Sequence, residues 1–174
     1  MSGPVAVLIG PPGVGKSTIV RTVAQRLGVA ARDTDADVER TAGRTISDIF
    51  VSDGEETFRE LEREAVLAAL AEHEGMLTVG GGAVLDPFVQ EAMVGHLVIF
   101  LDVRIADAAS RIGFNVSRPL LVGNPRAKWT MMMDERRPTY EKVATVRVDT
   151  AGRSIDEVTE AVLAVLAERG VTPS

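Results

Sequence analysis

The 174-residue chain reads as an α/β domain with one parallel sheet and helices on both faces. Three observations predict this. Val5–Ile9, Met76–Val79, Leu97–Leu101 and Thr145–Val148 are short apolar runs bounded by glycine or charge, as expected for strands buried on both faces. Longer stretches with helical periodicity separate them, and strand alternating with helix makes a parallel sheet. The first run also leads directly into Gly10-Pro-Pro-Gly-Val-Gly15-Lys16-Ser17, a glycine-rich turn between a strand and a helix.

A fifth, weaker strand is expected over Val29–Asp35. Arg32 lies inside it, which an edge position in the sheet would tolerate. Helices are expected over Ser17–Leu27 and over Glu55–His73. The second follows an Asp53-Gly54 turn signal and carries Phe58, Leu61, Ala65 and Ala68 on one stripe. Asp86-Pro87 reads as an N-cap followed by proline at the first helical position. Ser154 and Glu157 form a capping-box pattern ahead of Ile155, Val158, Val162 and Val165. No repeat or linker divides the chain, so one domain spanning 1–174 is expected. In such a sheet, ligands bind beyond the carboxyl ends of the strands.

Composition narrows the possible functions. Apolar residues make up 45% and charged residues 25%, near the values for a globular protein. There is no cysteine, so disulfides and thiolate metal sites are excluded. His73 and His96 stand alone and read as surface or helix-end residues rather than zinc ligands. The net charge of −6 speaks against a nucleic-acid partner. Its distribution is uneven: Arg104 to Arg147 holds nine basic and four acidic residues, leaving −11 on the rest. A basic segment on an acidic protein suits a small polyanion, although any one of these arginines can equally belong to an ordinary ion pair. Met1 to Pro4 run into the first strand without a signal-type segment, and no apolar stretch approaches the roughly 20 residues of a membrane span. The expectation is a cytoplasmic monomer with no membrane partner.

Gly10–Ser17 matches G-x-x-x-x-G-K-[ST] at every fixed position, in the strand–turn–helix context that makes the match meaningful. Gly13 and Gly15 let the backbone curl so that successive N–H groups, that of Val14 included, face phosphate oxygens. The helix that follows adds its positive end, beginning with Ser17 and Thr18. Lys16 brings a compact cation to the β- and γ-phosphates, and the Ser17 hydroxyl suits Mg²⁺. No N-K-x-D or LSGGQ-like stretch is present, which disfavours GTPases and ABC ATPases. Val98–Leu101 followed by Asp102 imitates a Walker B strand.

Asp33-Thr34-Asp35 closes the weak strand. Two carboxylates at i and i+2 on a strand share a side, so one can serve Mg²⁺ through water while the other meets an acceptor hydroxyl. A plain turn and helix cap is the alternative reading. Gly80-Gly81-Gly82 follows the Met76–Val79 strand, where a backbone must approach a ligand closely. Arg59 stands beside Phe58 and three residues before Glu62, and Arg136 precedes Pro138 and Tyr140. Asn115–Pro125 is too punctuated by Gly and Pro for a helix and reads as a mobile lid. Trp129 and Met131 to Met133 read as core packing on the helix after it.

Together these residues resemble the shikimate kinase family over nearly the whole chain. The matching motifs are Gly10–Ser17, Asp33-Thr34-Asp35, Gly43–Phe50, Asp53-Gly54-Glu55 with Phe58-Arg59, Gly80–Gly82, Arg118-Pro-Leu-Leu121, and Arg136 with Tyr140. The resemblance implies a three-layer P-loop kinase fold of the nucleoside monophosphate kinase type, with a five-stranded parallel sheet in the order 2-3-1-4-5. It implies transfer of the γ-phosphoryl of ATP to the 3-hydroxyl of shikimate, with Mg²⁺, in aromatic amino-acid biosynthesis. It further implies that Asp35 grips the shikimate hydroxyls, Asp33 serves Mg²⁺ through water, and Arg59 and Arg136 clamp the carboxylate. Gly81 would be a backbone donor between Gly80 and Gly82, Arg118 the lid arginine over the phosphates, and Arg153 a neighbour of the adenine. The acceptor-binding part would run over about 34–61 and the lid over about 115–125. The rivals are another small-molecule kinase on this fold, such as a gluconate kinase, and a silent nucleotide-binding module. The first would not need the full set of Asp33, Asp35, triple glycine, Arg59 and Arg136, and the intact Lys16, Ser17 and Asp35 count against the second.

Overall fold

The computed structural model describes residues 3–12, 14–104, 107 and 125–173. In these residues the elements run β1 (Ala6–Ile9), α1 (Lys16–Leu27), β2 (Ala31–Asp33), α2 (Thr34–Ala42), α3 (Ile46–Asp53), α4 (Glu55–Glu72) and β3 (Met76–Thr78). A 3₁₀ turn (Ala83–Leu85), α5 (Pro87–Met93), β4 (Val98–Asp102), α6 (Pro125–Val143), β5 (Val146–Asp149) and α7 (Ile155–Glu168) follow. The five strands form one sheet in the order β2-β3-β1-β4-β5, with every pairing parallel. This is the expected order. Every residue of β1, β3 and β4 is buried. Successive strand side chains point to opposite faces, so helices cover both. Among the described residues, no helix is long and apolar enough to cross a membrane.

Caps explain most of the helix boundaries. Asp86 accepts a hydrogen bond from Phe88 N at 2.9 Å, with Pro87 at the first helical position. Ser154 and Glu157 close a reciprocal capping box on α7. His73 caps the C-terminal end of α4, its ring nitrogen 2.9 Å from Met76 O. Arg32 lies on edge strand β2, paired with Asp37 at 2.6 Å and Glu72 at 3.2 Å.

Some expectations shift. β2 ends at Asp33, because the Asp33 side chain accepts from Asp35 N at 2.9 Å and starts α2 at Thr34. Asp35 therefore sits in the first turn of a helix, not on a strand beside Asp33. The buried face of α4 runs through Phe58, Glu62, Val66, Ala69 and Leu70, one position on from the expected stripe. Leu61, Ala65 and Phe50 instead pack against a small second core of Val38, Ile49 and Phe58 beneath α2 and α3. In α7, Leu166 is buried and Val165 only partly so. Trp129 and Met133 are core residues, whereas Met131 is 63% exposed. The lid lies outside the described residues except for Pro125, which opens α6.

Candidate active site

The motifs converge at the carboxyl edge of the sheet. Gly10 and Gly15 take positive φ values of 152° and 89°, closed to most side chains. A Cβ on Gly10 would lie 2.7 Å from Leu101 O of β4, so the loop is folded tightly onto the strand tips. Lys16 Nζ donates to Gly10 O at 2.8 Å and Pro11 O at 3.2 Å, which keeps its charge at the loop. Val14 is buried, and Thr18 is exposed in the first turn of α1. Gly13 lies outside the described residues, as does Arg118.

Ser17 Oγ donates to Asp33 Oδ2 at 2.7 Å, and the other Asp33 oxygen caps α2. This hydroxyl–carboxylate pair is an all-oxygen donor set beside the phosphate loop. It fits Mg²⁺, which takes one or two protein oxygens and otherwise waters and substrate phosphates.

The triple glycine is where Asp35, Arg59, Glu62 and Arg136 meet. A Cβ on Gly80 would lie 2.7 Å from both Asp35 Oδ1 and Glu62 Oε2. One on Gly82 would meet Arg59 Nη1 at 2.6 Å, and one on Gly81 would sit 3.4 Å from Arg136 Nη1. Side chains at Gly80 and Gly82 would displace the charged groups, and one at Gly81 would press on Pro12 Cδ at 3.2 Å. Arg59 Nη1 donates to Glu62 Oε1 at 2.8 Å. Tyr140 donates its hydroxyl hydrogen to Gly81 O at 2.5 Å while its ring stacks on Phe100.

The electrostatics are unbalanced in a useful way. Burial raises the Asp35 carboxyl to about 6, with Asp33 and Glu62 adding to the effect and Lys16 opposing it. Burial also raises the Glu62 carboxyl, against the pull of Arg59. Arg136 is only 7% exposed and pairs with no carboxylate among the described residues, meeting the Tyr140 hydroxyl instead. Glu62, whose direct ion pair is with Arg59, is near enough to feel the charge of Arg136.

Asp102 does not behave as a Walker B residue. It pairs with Arg137 at 2.6 Å and Arg147 at 2.8 Å. Burial alone would raise its carboxyl, but these two guanidinium groups outweigh that and hold it below the usual range. Two arginines of the basic segment are thus engaged structurally, while Arg136 lies beside Gly81. Arg153 is exposed on the turn after β5, donating its N–H to Thr150 O at 3.1 Å. That turn borders the phosphate loop, since a Cβ on Gly15 would strike Ile155 Cδ1 at 2.7 Å.

Sequence reasoning gave Glu62 no role in the site. The available signal was its place three residues after Arg59 on the buried face of α4, which the misphased apolar stripe concealed. The contacts of Tyr140 with Gly81 and of Trp129 with Pro12 carry no local sequence signal, because they join residues 59 and 117 positions apart.

Known proteins resemble the chain over nearly its whole length. The family model described as "Shikimate kinase" matches residues 12–167. A shikimate kinase from Thermobifida fusca is 50% identical over 169 residues, covering 97% of this chain and 98% of that protein. The solved structure of a shikimate kinase from Acinetobacter baumannii in complex with shikimate superimposes with a TM-score of 0.87 at 28% identity, covering 99% of this chain and 97% of the other. A gluconokinase from Sinorhizobium meliloti shares the fold alone, with a TM-score of 0.58 at 20% identity over 94% of this chain and 91% of that one. The chain belongs to the shikimate kinase family and is an ATP-dependent phosphotransferase that acts on the alcohol of shikimate.

Proposed function

We propose that the residues gathered at the carboxyl edge of the sheet divide the reaction between a phosphate cradle and an acid clamp. In the cradle, backbone N–H groups of Gly13, Val14, Gly15, Lys16, Ser17 and Thr18 hold the ATP phosphates, with the Lys16 ammonium on the β–γ region. Arg118 covers the phosphates from the lid, and Arg153 borders the adenine. Ser17 and Asp33 would hold Mg²⁺, which when bound neutralises phosphate charge. In the clamp, Arg59 and Arg136 take the carboxylate of shikimate, since guanidinium groups fork onto carboxylates. Gly80, Gly81 and Gly82 let the backbone close on the ring.

The acceptor's 3-hydroxyl then faces Asp35. Its oxygen bonds to the γ-phosphorus as the bond from that phosphorus to the β–γ bridging oxygen breaks, and ADP leaves. The hydroxyl proton passes to Asp35, whose raised proton affinity suits that role. Most of the catalysis is positioning and charge stabilisation.

The observation that carries this reading is Arg136, a buried guanidinium beside the triple glycine with no carboxylate of its own among the described residues. The net charge of −6 favours small-molecule substrates over nucleic acid, and we read the chain as a monomer in which about 34–61 form the acceptor part and about 115–125 the lid. ADP release should be measured with shikimate, gluconate and nucleoside monophosphates offered separately. Shikimate alone should support turnover; release driven by another acceptor and indifferent to shikimate would overturn the reading.

A further inference from the structure

Helix α6 presents one buried stripe, Trp129, Met133, Arg136 and Tyr140, spaced as successive turns of one helix face. Three of these four residues reach functional loops. Trp129 Nε1 donates to Pro12 O in the phosphate loop at 3.2 Å. Arg136 lies beside Gly81, and the Tyr140 hydroxyl donates to Gly81 O. The circuit closes on its far side, because a Cβ on Gly81 would sit 3.2 Å from Pro12 Cδ and 3.4 Å from Gly10 O. Phosphate loop, triple glycine and α6 therefore touch each other pairwise.

Trp129 and Arg136 lie about 10 Å apart along a helix that rises 1.5 Å per residue. The helix is continuous from Pro125 to Val143, and Pro138, whose missing N–H frees the Asp134 carbonyl, sits two residues beyond Arg136. Trp129 is 3% exposed, so it cannot follow a displaced Pro12 carbonyl by swinging through solvent. A change in the phosphate loop on nucleotide binding is then transmitted to the helix that holds the acid clamp.

We propose that Trp129 is a positioning residue for the phosphate loop, and that through it α6 couples nucleotide occupancy to the grip on the acceptor acid. The inference rests on the assignment of Arg136 to the acid. Coupling of this kind is reciprocal and is measured as a ratio of affinities. A Trp129 that served only as core packing would alter stability without altering that ratio.

Shikimate affinity should be measured by calorimetry with and without ADP, for the unmodified protein and for Trp129→Phe, which keeps an aromatic ring and loses the N–H donor. ADP should tighten shikimate binding by about fivefold or more in the unmodified protein and by less than about twofold in the variant. Shikimate affinity without nucleotide should stay the same in both. Equal ratios in the two proteins, or no ratio in the unmodified one, would overturn the proposal. A variant that fails to fold leaves a second measurement. Trp129 is the only tryptophan of the chain, so its emission should change saturably on titration with ADP, and a constant emission would also overturn the proposal. Arg136→Ala separates the two levels of argument. Unchanged nucleotide-free shikimate affinity in that variant would sink the acid clamp itself, whereas a weakened clamp with coupling intact in Trp129→Phe sinks only this inference.

Discussion

In the ligand-free chain the Asp35 carboxyl titrates near 6 instead of 3.8, because burial, Asp33 and Glu62 all disfavour its charged form. A raised carboxyl means that the folded state binds the proton more tightly than the unfolded state. Stability therefore rises as pH falls from above 6 towards 4, and at pH 7 the ionised group opposes folding by about 3 kcal/mol. Asp35→Asn removes that charge. Thermal unfolding of the ligand-free variant at pH 7 should show a Tm higher by several degrees, together with a severe loss of turnover and little change in ATP affinity. A lower Tm would contradict the charge argument, and a large loss of ATP affinity would place Asp35 on the wrong ligand. Arg136 gives a complementary case. Arg136→Lys retains the charge but loses the planar fork, so steady-state kinetics should show shikimate handling weakened by about 1.5–3 kcal/mol. Unchanged KM and kcat would remove Arg136 from the site.

Helix α7 shows how far local sequence carries an element. Its Ser154–Glu157 box was legible because the two partners lie within one helical turn, and the structure contains both hydrogen bonds. Ser154→Ala should cost about 1 kcal/mol, read as a Tm lower by about 2–4 °C with kinetics unchanged; a shifted ATP KM would tie this turn to the nucleotide more closely than its capping role does. Helices α2 and α3 were less legible. Thr34–Ala42 is rich in charged side chains and buries only Thr34, Asp37 and Val38, so no apolar period announces it. Its N-cap is Asp33, a residue that reads equally well as a ligand, and in the structure one of its oxygens caps the helix while the other accepts from Ser17. The α4 stripe misled for a related reason: its face is divided between two cores, with the charged Glu62 buried on it between Phe58 and Val66.

Across the molecule, the parallel sheet, its buried strands and the position of the phosphate loop followed from patterns of apolar runs and one motif, whereas the strand order came only from the family resemblance. What could not be read were the long-range closures: Arg137 and Arg147 converging on Asp102, Tyr140 reaching Gly81, and Trp129 reaching Pro12. Each pairs residues that only the finished sheet brings together, and each involves α6 or β5 from the basic segment. That segment therefore does two jobs. Part of it ties the tips of β4 and β5 to α6, and Arg136 lies buried beside Gly81 with no direct carboxylate pair among the described residues. The most direct test is a crystal structure of the chain with ADP, magnesium and shikimate. The shikimate carboxylate should lie between the guanidinium groups of Arg59 and Arg136, with its 3-hydroxyl within hydrogen-bonding reach of Asp35. A carboxylate bound by other side chains, with those two arginines left without it, would contradict the acid clamp.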